Sequence, residues 1–360
     1  MILIIPMAGN SSRFPNLKPK WMLTHPNGKF MVLQAISGLN LTSFNKIIFV
    51  CLKEHEEKHQ FSKGFKAELK DMGIDIKSEI LYLDNTTKHQ SETVAQAIQA
   101  FEIKGPIFVK DSDNYFEIEY TGDNSICYFD LNQSGLIKPK NKSYIEIDEF
   151  GFISNIIEKQ VLSPYFCVGG YGFQSAEDFL TYLAKIEQET QGEVYLSNVI
   201  FEMILHGGKF CSSIVVNYKD WGTLEDWDRY KRTYATLFVD IDGTLVKNSS
   251  AHFPPYIGNT PPLEENLSIL KKLHQTGKFQ IILTTSRPEE FREETVNQMK
   301  KLSLPYNHLI MGLLHAKRII INDYSKSNPF KSCDSINLKR DSEDLKEILK
   351  EALGTDYEEI

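Results

Sequence analysis

Short, nearly continuous apolar runs alternate with stretches of helical spacing along the whole chain. Runs at residues 1–5, 46–51 and 107–109 are rich in isoleucine, valine and phenylalanine and too short for buried helices, so they predict strands. Residues 31–38 and 93–101 between them space their apolar positions as amphipathic helices do. The second half repeats the alternation: strand at 237–240, helix at 263–274, strand at 279–284, helix at 289–302, strand at 319–322, and an amphipathic helix at 342–352. Apolar runs without an intervening polar face belong to sheets covered on both sides by helices, so the pattern predicts an α/β protein.

At 360 residues the chain exceeds the prior of about 150 residues per domain, which predicts two domains. The boundary is placed between 233 and 234, giving domains 1–233 and 234–360. A helical stretch at 225–234 runs straight into the next strand with no flexible linker, so the second domain is expected to dock on the first. Neither internal repeats nor low-complexity tracts interrupt the pattern.

A hydrophobic content of 41% excludes a disordered chain, and a net charge of −8 argues against nucleic acid or anionic membrane as a general partner. The five cysteines form no CxxC pair, which argues against a zinc site or a disulfide scaffold. No apolar run approaches a signal-peptide core or a membrane span, so the expectation is a cytoplasmic protein without membrane insertion.

Residues 237–245, LFVDIDGTL, end an apolar strand in two carboxylates, a glycine and a hydroxyl. Asp240 can attack phosphorus, while Asp242, two residues on, can protonate a leaving oxygen and later activate water. Gly243 allows a tight turn beside an anion. Downstream, residues 279–288 break from an apolar strand into Thr284, Thr285, Ser286 and Arg287, and Lys317 and Asp323 flank another apolar run. In this order the residues resemble the motifs of the haloacid dehalogenase-like phosphatases. The resemblance implies a Rossmannoid domain with Asp240 as nucleophile and Asp242 as acid and base. It also implies Thr285 as the motif II hydroxyl, Lys317 as the motif III lysine, and Mg²⁺ held by Asp240, Asp242 and Asp323. Asn322 departs from the commonest form of motif IV. The intervals from Asp240 to Thr285 and from Thr285 to Lys317 leave little room for a cap once core helices of about 11–12 residues are subtracted. The phosphatase site is therefore expected to be open, or covered by another domain or by a second subunit of a homo-oligomer. The loop 246–260, with His252, Phe253, Pro254 and Pro255, is either a short flap over Asp240 or a plain surface excursion.

The opening strand runs into Ala8, Gly9, Asn10, Ser11, Ser12 and Arg13, with Lys20 following in a Pro-Lys pair. Small residues let backbone N–H groups approach a triphosphate, and the two cations can offset charge on a departing pyrophosphate. The segment resembles the glycine-rich signature of the sugar-phosphate nucleotidyltransferases, with Ser11 in place of the usual second glycine. Matching segments follow in order: Asp111 and Asp113 at a strand end, Glu158-Lys159, the glycine-aromatic run containing Gly170, Glu193, and Asp220 in a DWGT sequence. The resemblance implies a Rossmann-like mixed sheet that binds an NTP and a sugar or polyol phosphate. It assigns Mg²⁺ to Asp113 and Asp220, with Asp111 as an accessory acid, and the acceptor to Glu158, Lys159, Gly170 and Glu193. Gln90, Ser91, Glu92 and Thr93 open a helix where this family recognises the base. They include no glycine, so base choice is not legible, and a pyrimidine is preferred on family grounds alone.

Three readings stand at this point. The first is a bifunctional enzyme that transfers a nucleotidyl group and hydrolyses a phosphomonoester of the same pathway, as in surface-polysaccharide (capsule) precursor synthesis. The second is a phosphatase whose N-terminal domain only binds nucleotide or sugar phosphate. The third is a non-catalytic assembly module, against which the retention of both Asp240 and Asp242 speaks.

Overall fold

The computed structural model describes residues 1–9, 14, 17–119, 122–134, 139–189, 192–323 and 332–353. The chain divides into two compact units, Met1–Asp228 and Arg229–Ile360, with the division inside the helix Leu224–Arg232.

Among the described residues, eleven strands belong to the first unit. They are β1 (Ile2–Pro6), β2 (Lys46–Leu52), β3 (Ser78–Leu83), β4 (Ile107–Lys110), β5 (Asn114–Glu117), β6 (Ser125–Asp130), β7 (Ser143–Ile147), β8 (Ile153–Glu158), β9 (Tyr165–Phe173), β10 (Cys211–Ile214) and β11 (Val216–Asp220). The main sheet runs β10-β6-β9-β4-β1-β2-β3, with β7 paired to β8 and β9. β1 pairs in parallel with β2 on one side and β4 on the other, whereas β9 is antiparallel to both β4 and β6. The sheet is thus mixed, as the sequence suggests, and its order reverses at β1.

Apolar side chains leave both faces of this sheet. Ile4, Ile48, Val50 and Val109 pack on one side with Val94 and Ile98 of the helix Gln90–Ala100. Leu3, Ile5, Phe49 and Phe108 pack on the other with Trp21, Leu33 and Phe65. Burial on both faces explains why the strands read as unbroken apolar runs. The carboxyl ends of β1 and β4 open on one edge at the point where strand order reverses, the usual position of a ligand crevice in such sheets. Gly9 follows the first and Asp111 the second.

The second unit contains β12 (Ala235–Asp240), β13 (Phe279–Thr284) and β14 (His308–Ile310), a parallel sheet in that order. The register sets Asp240 opposite Thr284, so both strands deliver polar residues to one end. Ile241, Leu245, Ile281 and Leu283 pack there against Leu267, Leu270 and Leu273 of the helix Glu264–Gln275 and Leu345 and Leu349 of the helix Leu345–Leu353.

Two expectations are corrected. The stretch at 289–302 divides into a 3₁₀ turn, Glu289–Phe291, and the helix Arg292–Lys301. Residues 319–322 form no strand: Ile319 and Ile321 are 74% and 91% exposed. Apolar composition predicts a strand only where a neighbouring strand offers its unpaired N–H and C=O groups, and β12 pairs with β13 alone among the described residues.

Candidate active sites

In the first unit, β5 and β11 pair antiparallel, with Asn114 opposite Asp220, and the Trp221 N–H donates to the Asp113 carbonyl at 2.9 Å. This ladder brings Asp113 and Asp220, far apart in sequence, to neighbouring positions. Each carboxylate carries one lysine. Lys20 pairs with Asp113, and Lys142 Nζ lies 2.8 Å from Asp220 Oδ2.

The loop between β4 and β5 is pinned from beneath. The buried Lys110 ammonium donates to the carbonyls of Asp111 and Asn114, both at 2.9 Å, and to Asn114 Oδ1 at 2.5 Å. Burial draws its pKa down to about 8, against the pull of Asp111 and Asp113. Burial alone would raise the Asp113 carboxyl, but Lys20 outweighs it and holds the group below the usual carboxylate range. Asp111 moves the other way, raised by burial and by the adjacent Asp113 charge, while it accepts from Gln90 Nε2 at 2.5 Å.

Two glycines of β9 make this packing feasible. A Cβ on Gly169, which has φ +79°, would lie 2.1 Å from Asp111 Oδ2. On Gly170 it would meet Phe116 Cζ at 2.7 Å and Cys127 Sγ at 2.8 Å. Gly170 is buried and serves close packing.

Glu158, Lys159 and Glu193 do come together. The Lys159 ammonium donates to the Tyr195 hydroxyl, which in turn donates to Glu193. Glu158 accepts from Ser143 and, at 2.8 Å, from Ser197 on the helix Leu196–Leu205. A carboxylate fixed by two hydroxyls and an exposed ammonium-phenol-carboxylate chain can recognise the hydroxyls and phosphate of a sugar.

Of the expected base-recognition residues, only Gln90 faces the carboxylates. Ser91 is buried and donates to the Val194 carbonyl at 2.9 Å. Glu92 accepts from the Lys88 N–H at 2.6 Å, and buried Thr93 bonds Thr87 at 2.6 Å. These three side chains cap and pack the start of the helix Gln90–Ala100. In the expected phosphate loop, Ala8 is buried and Gly9 exposed; Asn10, Ser11, Ser12 and Arg13 lie outside the described residues.

Asp113 and Asp220 supply hard carboxylate oxygens, and Mg²⁺ asks for one or two of these beside waters and phosphate oxygens. The donor set fits. Among the described residues no three histidine, cysteine or carboxylate groups gather, so the unit offers a pair of acids rather than an all-protein cage.

In the second unit, the turn after β12 is closed by Gly243 N–H to the Val246 carbonyl at 2.8 Å, with Gly243 at φ +82°. Asn266, fully buried, donates to the carbonyls of Thr244 and Ser342, both at 2.8 Å, and so ties this turn to the segment before the last helix.

Asp242 is held on every side. Arg287, 3% exposed, reaches both of its oxygens at 2.8 Å, Ser249 donates to Oδ1 at 2.6 Å, and Thr285 donates to Oδ2 at 3.2 Å. The remaining Arg287 nitrogen bonds Thr295 at 3.1 Å and Gln298 at 2.9 Å. Both carboxylate oxygens thus accept from surrounding donors, which fixes the orientation of the group. Loop 246–260 touches the site through Ser249, while Phe253 is 64% exposed.

The basic residue that reaches Asp240 is Arg318, at 3.0 Å, and not Lys317, which is exposed. Burial raises the Asp240 carboxyl, with Arg318 opposing. Asp323 is exposed and does not join Asp240 and Asp242 in a three-acid shell. The described residues of this unit therefore do not fit the expected Mg²⁺ site.

Over about two thirds of its length the chain shares its mixed α/β fold with solved proteins. The chain is similar to the nucleoside-diphosphate-sugar pyrophosphorylase from Vibrio cholerae RC9, with TM-score 0.54 and 21% identity, over 63% of this chain and 98% of that one. It is also similar to a Bacillus anthracis protein named as a glucose-1-phosphate thymidylyltransferase and solved with sucrose, with TM-score 0.51 and 16% identity, over 64% of this chain and 94% of that one. At these identities the likeness concerns the fold alone. No family model and no curated protein matches the chain.

Proposed function

We propose that the first unit transfers a nucleotidyl group from an NTP, CTP or UTP by preference, to a sugar or polyol phosphate with release of pyrophosphate. The observation that carries this reading is the pairing of β5 with β11, which sets Asp113 and Asp220 side by side with Lys20 and Lys142 at the switch-point edge of the sheet. An acceptor phosphate oxygen attacks the α-phosphorus, the bond to the bridging oxygen breaks, and pyrophosphate departs. Mg²⁺ on the two aspartates would offset charge on the α-phosphate and the leaving group. Lys20 and Arg13 contribute cationic charge on the nucleotide side. Glu158, Lys159, Glu193 and Tyr195 orient the acceptor.

For the second unit the reading is phosphomonoester hydrolysis through Asp240. Its carboxylate attacks phosphorus and expels the alcohol, and water then cleaves the aspartyl phosphate. Asp242, oriented by Arg287, Ser249 and Thr285, is assigned the acid and base role: it gives a proton to the departing alcohol and later takes one from the attacking water. Together the two activities suit the synthesis of precursors for a surface polysaccharide such as a capsule, in the cytoplasm. No helix among the described residues is long and apolar enough to cross a membrane.

The test is a pyrophosphate-release screen of CTP, UTP, GTP and dTTP against a panel of sugar and polyol phosphates. Release with at least one pair, highest with CTP or UTP, is expected; no release from any pair overturns the transferase reading.

Arg287 provides a separate test of the second unit. Arg287→Met removes the buried guanidinium from a carboxylate whose side chain is 17% exposed and leaves Thr295 and Gln298 without their partner, a change that costs about 2–3 kcal/mol. Urea unfolding of the full-length protein is expected to show an early transition displaced by that amount, together with loss of phosphate release. Arg287→Lys keeps the charge but not the two-pronged contact, and is expected to recover only part of either quantity.

A further inference from the structure

Lys142 immediately precedes β7, and its carbonyl accepts the Lys159 N–H at 3.0 Å, so it stands between the acceptor residues and β11. Its ammonium donates to the Tyr218 hydroxyl at 3.0 Å and lies 2.8 Å from Asp220 Oδ2, with the lysine side chain 19% and the aspartate side chain 11% exposed. Two neighbouring carboxylates with little access to water repel each other unless each has a counter-ion. Lys20 supplies one and Lys142 the other. An ammonium and a divalent cation at the same carboxylate oxygen repel each other, so each weakens the hold of the other.

We propose that Lys142 stands in for the divalent cation at Asp220, neutralising this ligand while the site is metal-free and yielding it when cation and nucleotide arrive. The inference rests on the assignment of Asp113 and Asp220 as the metal pair. Lysine suits the task better than arginine, because a point charge on a flexible stem exchanges partners without breaking a planar two-pronged contact. Tyr218 keeps the ammonium nearby after the exchange, since its hydroxyl already accepts from Nζ and its ring centroid lies 5.7 Å from it. The displaced charge is then available to the phosphates that the nucleotide and acceptor bring.

The experiment titrates Mn²⁺ into the full-length protein without nucleotide and reads free Mn²⁺ by electron paramagnetic resonance. Lys142→Met is expected to bind Mn²⁺ about fivefold to tenfold more tightly than the unsubstituted protein, because a competing cation has been removed. Asp220→Asn is expected to bind more weakly, and Lys142→Met added to Asp220→Asn should give no gain over Asp220→Asn alone. If Asp220→Asn weakens Mn²⁺ binding but Lys142→Met leaves it unchanged or weaker, the exchange is overturned while the metal pair stands. If Asp113→Asn and Asp220→Asn both bind as the unsubstituted protein does, the metal pair itself falls and the exchange with it. Circular dichroism checks folding; should Lys142→Met not fold, Lys142→Gln replaces it with the same expected direction.

Discussion

Asp113→Asn lowers pyrophosphate release by at least about 10³-fold and leaves phosphate release from a phosphomonoester unchanged. The size follows from charge. Loss of one anionic ligand removes stabilisation of a phosphoryl group in transfer, and single electrostatic contacts of this kind account for about 10²–10³ in rate, to which lost metal affinity adds. The fold should survive, because the amide still accepts from Lys20 and the backbone bond from Trp221 to the Asp113 carbonyl is untouched. Rate measurements at saturating and limiting Mg²⁺, with circular dichroism on the same samples, check the result. A variant that retains release within tenfold at both concentrations would remove Asp113 from the transfer site.

Asp240→Asn is expected to have the reverse effect, with phosphate release reduced by at least about 10³-fold and pyrophosphate release preserved, since an amide cannot form the acyl phosphate. Arg318 loses a charged partner at 3.0 Å, but both side chains are partly exposed, so the cost in stability is small. Parallel assays of both activities on one preparation decide the outcome. Loss of both together would show that the two chemistries do not occupy separate sites.

The sequence was most legible where apolar runs are continuous. β1, β2 and β4 fall where their composition places them, because strands buried on both faces leave little ambiguity, and β12 and β13 are found from their apolar runs although β12 is only half covered. β5 and β11 were not legible as a pair. Each is short, half-buried and interrupted by polar residues, and their register depends on a partner far along the chain. Lys142 was missed for a related reason. It ends the lysine-rich run KPKNK at 138–142, which reads as a solvated surface until Asp220 is folded against it. At the second site, Asp240, Asp242 and Thr285 were read from their order, whereas Arg287 appeared only as one basic residue among several hydroxyls; its burial is a property of the helix Arg292–Lys301 packed behind it. Lys317 and Asp323 were placed by spacing behind a strand that does not form, so neither reaches Asp240. Ser91, Glu92 and Thr93 have the composition of a helix start, and they perform that task.

The two adjacent glycines of β9 carry a consequence for how such a protein could diversify. A methyl group at Gly169 collides with the carboxylate of Asp111 and one at Gly170 with Phe116 and Cys127, so a side chain at either position must displace Asp111 or the packing beside it. Under the proposed transfer function, changes in acceptor preference would fall instead on Glu158, Lys159, Glu193 and Tyr195, whose hydrogen bonds involve neither Asp113 nor Asp220.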